Sequence, residues 1–109
     1  MKDWRKQYDF IGSFYEDRAV VRLGDKWGHV DRKGRVKTTI EYDHAWAFYE
    51  GRAEVQLGDK WGHVDREGNV TTPIKYYDPG WFFRDDRARV QLGDRSFYVD
   101  KNGNELEEE

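Results

Sequence analysis

A chain of 109 residues is the size of one domain with a modest core, and its mean hydropathy of −1.10 and 38% charged residues would suit disorder but for 17% aromatics, which carry enough buried area to fold it. The formal charge of −3 resides in the tail: without Glu105, Glu107, Glu108 and Glu109 the 22 acidic residues fall to 18 against 19 basic, a balance of +1. No basic cluster makes a footprint for nucleic acid, the absence of cysteine excludes disulfides and thiolate chemistry, and no apolar run has the length of a membrane span.

The first eight residues carry no apolar signal region, so the chain is expected to be soluble. Beyond them the sequence repeats itself with a period of about 34 residues. Residues 24–34 read GDKWGHVDRKG, residues 58–68 read GDKWGHVDREG, and residues 93–103 read GDRSFYVDKNG, a degenerate third copy. An alternating segment precedes each: RAVVRL at 18–23, RAEVQL at 52–57 and RARVQL at 87–92. A Tyr-Asp pair precedes each of those, at Tyr8-Asp9, Tyr42-Asp43 and Tyr77-Asp78, with Tyr76 read as an insertion before Tyr77.

In the first unit Ala19, Val21 and Leu23 alternate with Arg18, Val20 and Arg22, the pattern of a half-buried strand. Gly24-Asp25 separates it from a second strand, and glycine at the first loop position suits a type II′ hairpin. Asp31 with Gly34 three residues later fits a type I turn closing in a glycine bulge. Residues 36–40, repeated at 70–74, make a third strand. The predicted fold is therefore all-β: three tandem three-stranded antiparallel meanders, residues 8–41, 42–76 and 77–104, packed as one domain over 1–104, with an acidic tail at 105–109. Gly28 and Gly62 predict a close approach by a neighbouring backbone or ring. The predicted core is Ala19, Val21, Leu23, Val30 and Phe14 with their counterparts, including Phe48 and Phe83, while Trp27 and Trp61 fill contacts between copies.

The two ends are out of phase with the repeat. Residues 4–8 align with 38–42, and the last copy lacks most of its third strand. Either the N-terminal piece closes a three-fold ring by filling that strand, or the array is open and capped, the favoured alternative, since Ser96-Phe97 and the terminal glutamates look like a solubilising cap.

The run Lys26-Trp-Gly-His-Val-Asp-Arg-Lys-Gly34, followed by Tyr42-Asp43, Phe48, Gly51 and Ala53, and in copy two by Pro73 and Tyr77-Asp78, closely resembles the WG β-repeat family. The departures are His29 and His63 in place of an aromatic, Thr39 in place of a proline, and Ser96-Phe97 in place of Trp-Gly. The resemblance implies a structural or protein-binding module of mainly bacterial occurrence, with no catalytic residues to carry over. The near identity of copies one and two fits recent duplication or a designed sequence equally.

His29 and His63, each two residues before an aspartate, invite a metal reading. They recur because the unit recurs, and Asp31 and Asp65 are needed in turns, so the structural reading is preferred; neither metal nor cofactor is expected. Serines 13 and 96 lie in no nucleophile elbow, and the expectation is a non-enzymatic module. The residues left for recognition are those the repeat does not explain: Trp46 and Trp81 in the loop before the first strand, Phe82, and Tyr49, shared only with Tyr15. They form the candidate surface for a protein partner. The alternatives are a structural or engineered unit that self-associates through its terminal strands, and a glycan-binding surface.

Overall fold

The computed structural model describes residues 3–76 and 86–106. A turn of 3-10 helix, Trp4–Gln7, leads into β1 (Phe10–Tyr15), β2 (Arg18–Leu23), β3 (Lys26–Asp31) and β4 (Val36–Tyr42), which form one antiparallel sheet in that order. A second sheet runs β5 (His44–Ala45), β6 (Ala53–Leu57), β7 (Lys60–Val64) and β8 (Val70–Tyr76). The third contains β9 (Arg87–Leu92), β10 (Arg95–Asp100) and β11 (Glu105–Leu106). The fold is all-β with three repeats, and the sheets do not close on one another.

The expected meander is present in each copy, and the first two carry a fourth strand ahead of it. The segment read as a loop before the first strand is β1 in copy one. Its register against β2 shifts between Ile11 and Phe14, a bulge at Gly12-Ser13 that breaks the alternation by which strands are recognised. In copy two the same segment pairs at His44 and Ala45, and continues through Trp46 N–H donating to Glu54 O at 3.0 Å. Glu105 and Leu106, assigned from sequence to the tail, pair with Val99 and Tyr98.

The turns follow their chemistry. Leu23 pairs with Lys26 around Gly24-Asp25, with Gly24 at φ +65° and only that loop residue in the left-handed region, as type II′ requires. At the next turn Gly34 N–H donates to Asp31 O at 3.0 Å, and one oxygen of the Asp31 carboxylate accepts from the amides of Lys33 and Arg35, both at 2.9 Å. Asp65 and Asp100 hold their turns in the same way. Asp9 and Asp43, from the Tyr-Asp pairs, reach the amides of Gly24 and Gly58, so this aspartate braces the hairpin of its own unit.

Gly28 explains the Trp-Gly motif. The register between β3 and β4 shifts twice, so that three residues of β4 lie between the partners of Trp27 and His29 where β3 has Gly28 alone. The crowded strand crosses directly over that position: a Cβ on Gly28 would stand 2.5 Å from Thr38 O and 2.8 Å from Thr39 O. Gly62 is overlain by β8 in the same way. In copy three the residue equivalent to Gly28 is Phe97, buried against Tyr76 with ring centroids 5.9 Å apart.

Three core clusters lie in series. Ala19, Val21 and Val30 pack with Trp4, Tyr8, Ile11, Phe14 and Ile40. Tyr42 from the first sheet joins Ala45, Phe48, Ala53, Val55 and Val64 of the second, with Trp27 against them. Tyr76 from the second joins Ala88, Val90, Phe97 and Val99 of the third. Each sheet thus lends its last tyrosine to the core of the next. Tyr76, rather than Tyr77, therefore holds the place of Tyr42, and the extra residue of copy three lies in 77–85. Three expected core positions differ or fall outside: Leu23 and its counterpart Leu57 are exposed, 48% and 42%, because each sits at the tip of a hairpin, and Phe83 lies outside the described residues.

The ends agree with the open, capped array. Gly68 and Gly103 pack on the third strand of the preceding copy, at Lys37-Thr38 and Thr71-Thr72. At Gly34 the Trp4 ring takes the equivalent place. Trp4 aligns with Thr38 in the repeat, so the N-terminal piece packs on the first copy where a third strand packs on the later ones, and not on the last sheet. At the other end Arg89, Ser96 and Tyr98 are exposed on the last sheet, where Glu54, Trp61 and His63 of copy two are buried or half-buried.

Candidate functional site

The aromatic residues form two sets. Cross-strand pairing puts Phe10, Arg22 and Trp27 in one row of the first sheet, and His44, Gln56 and Trp61 in the same row of the second. At the joint the rings run in series: Phe10 to Trp27 at 5.7 Å, Trp27 to His44 at 4.8 Å, His44 to Trp46 at 3.9 Å, and Trp46 to Trp61 at 4.6 Å. The row is half-buried except for Phe10, which is exposed. Beside it the ammonium of Lys26 pairs with the Asp43 carboxylate at 2.7 Å, linking the first sheet to the start of the second. Charge near the row is thus partly neutralised within the protein.

Trp46, a predicted recognition residue, belongs to this joint. Its ring meets those of His44 and Trp61 at tilted angles of 47° and 42°, and its carbonyl accepts from Nε2 of His29 at 2.7 Å. Tyr49 is placed differently: it ends the first segment of copy two, pairs by backbone with Arg52 and is 50% exposed. Trp81 and Phe82 lie outside the described residues. Sequence reasoning did not single out Tyr15 as a site residue, yet it holds the equivalent place in copy one and is 54% exposed. Its signal was the correspondence with Tyr49. His44 lies in β5 against two indoles, those of Trp27 and Trp46, a role announced only by its alignment with Phe10.

The spacing of the tyrosines is set by bonds between copies. After Tyr15, the turn residues Glu16 and Asp17 both have positive φ; after Tyr49, so do Glu50 and Gly51. The carboxylate of Glu16 accepts from Gly51 N–H at 2.9 Å, and that of Glu50 from Asp86 N–H at 3.0 Å. Arg18 Nε donates to Arg66 O and Arg52 Nε to Lys101 O, both at 2.8 Å. In copies one and two the same glutamate and the same arginine grip the next copy.

The histidines are interior. His29 is fully buried and His63 nearly so; His29 also meets the Phe48 ring edge-on at 4.6 Å. Burial, aided by the positive charge of Arg18, lowers the His29 pKa to about 4 despite its bond to Trp46; burial and Arg52 bring His63 to about 4. Both rings are neutral at pH 7. Burial works against ionisation of Asp31, but the amides of Arg35 and Lys33 and the Arg35 guanidinium outweigh it and hold the carboxyl at about 2. Among the described residues no three His, Cys, Asp or Glu side chains converge as metal ligands.

Sheets joined through equivalent residues in successive copies define a tandem all-β repeat protein. The family model for the WG containing repeat matches three consecutive stretches, residues 6–27, 27–61 and 61–95. The chain belongs to that family. The first two matches end at Trp27 and Trp61 and the third at Arg95, one residue before the corresponding place, so the family's unit runs from the middle of one sheet to the middle of the next. Comparison with curated proteins gives no match, and comparison with solved structures gives none.

Proposed function

We propose that the chain is a non-enzymatic interaction module that presents the same exposed side chains at fixed intervals to a protein partner. The observation that carries this reading is the pair Tyr15 and Tyr49, each about half exposed at equivalent turns whose relative position is held by the Glu16 and Arg18 contacts. Exposed tyrosines on rigid backbone suit recognition because they offer large area for little conformational entropy. Repetition adds a second, linked contact at high effective concentration. Trp46 supports the surface from within the joint.

A peptide display library selected on the wild-type chain and counter-screened on Tyr15→Ala/Tyr49→Ala tests the reading. The double variant is expected to unfold within about 1 kcal/mol of wild type, since both rings are half exposed, and to lose the selected peptides. Peptides that bind both proteins equally would contradict this role for the tyrosines.

A further inference from the structure

His29 and Thr38 face each other across β3 and β4, and both are fully buried. The Trp46 carbonyl can only accept, so the 2.7 Å contact fixes a hydrogen on Nε2 of His29. In the neutral ring Nδ1 is then a bare acceptor that needs a donor. It has no partner among the described residues, and neither has Thr38 Oγ1. Thr72 Oγ1, equivalent to Thr38 in copy two, is also buried without a partner among them. Two buried polar atoms from paired residues, each lacking its hydrogen bond, mark a site for a small polar ligand.

We propose that the joint between the first two copies holds one ordered water, which donates to Nδ1 of His29 and accepts from the hydroxyl of Thr38. The ligand must supply a donor to Nδ1 and meet a hydroxyl, and water does both. The register shift of β4 beside Thr38 interrupts the ladder there, so backbone groups outside regular pairing are at hand as further partners. A cation is disfavoured because the field of Arg18 already opposes positive charge on His29. The water would fasten β4 to the histidine that grips Trp46, making the joint a three-part link between sheets.

The test is NMR on the full chain with 15N-labelled histidine. Long-range 1H–15N spectra are expected to give the Nε2–H tautomer of His29 with Nδ1 as a hydrogen-bonded acceptor. Water-selective NOE and ROE spectra are expected to give a long-lived water cross-peak to the His29 ring. Thr38→Val removes the hydroxyl and is expected to abolish that cross-peak and move Nδ1 toward an unbonded acceptor, whereas Thr38→Ser retains both features. An Nδ1–H tautomer, a wild-type ring with no water cross-peak, or a cross-peak unchanged in folded Thr38→Val would overturn the proposal. A His29 shift on adding zinc alone would do so in favour of a cation. Should Thr38→Val not fold, the wild-type and Thr38→Ser spectra decide the matter.

Discussion

His29 and His63 illustrate how a residue that looks chemical can be architectural. In the family resemblance the position takes an aromatic ring; here an imidazole fills it and, in copy one, adds a bond to the next copy through Trp46 O. The cost is sensitivity to acid. Both folded pKa values, about 4, lie below the ordinary 6.5, so as pH falls the unfolded chain binds protons first. The stability is whole above 6.5, declines between 6.5 and 4, and levels off with respect to these groups below 4. At pH 5 each histidine is expected to have removed about 2 kcal/mol. Urea denaturation at pH 7 and pH 5 measures this, and His29→Phe/His63→Phe should flatten the difference. The carboxyl of Asp31 does not confuse the reading: its contribution is present above the usual 3.8 and is lost only as pH falls through about 2.

At the scale of the strand, most of the meander was legible in the sequence, because type II′ glycines, turn aspartates and period-two segments each follow from local chemistry. The close approach at Gly28 was also legible; that the approaching group is the bulged third strand of the same sheet was not, since register shifts leave no periodic trace. Gly28→Ala is expected to destabilise the protein by about 3 kcal/mol, because the new methyl meets two successive backbone oxygens of β4, those of Thr38 and Thr39. Denaturant melts measure it, with Gly24→Ala as a control for glycine strain at an open hairpin tip. β1 was missed because its bulge at Gly12-Ser13 disguises the alternation, and Tyr76 was misaligned because two adjacent tyrosines are indistinguishable until one is placed opposite Trp61. The candidate site was less legible than the fold. Trp46 looked exposed because the repeat did not account for it, yet its ring is absorbed by packing against His44 and Trp61, contacts that depend on how the sheets meet.

The whole molecule is long and narrow, 55 × 25 × 18 Å, as an array of sheets in series should be. Such arrays draw stability from nearest-neighbour joints as well as from each repeat. The arginine and glutamate contacts give each joint a direction, and the end copies differ from the middle one in how their outer faces are covered. Removing the ring of the N-terminal cap, Trp4→Ala, is expected to cost about 2 kcal/mol and to speed hydrogen exchange in β2 and β3 more than in β6 and β7. The claim that the array is open rests on the same residue. NOE contacts from the Trp4 ring in solution test it most directly: contacts to Gly34 are predicted, whereas contacts to Phe97 or Tyr98 of the last sheet would contradict the open array and show a closed ring.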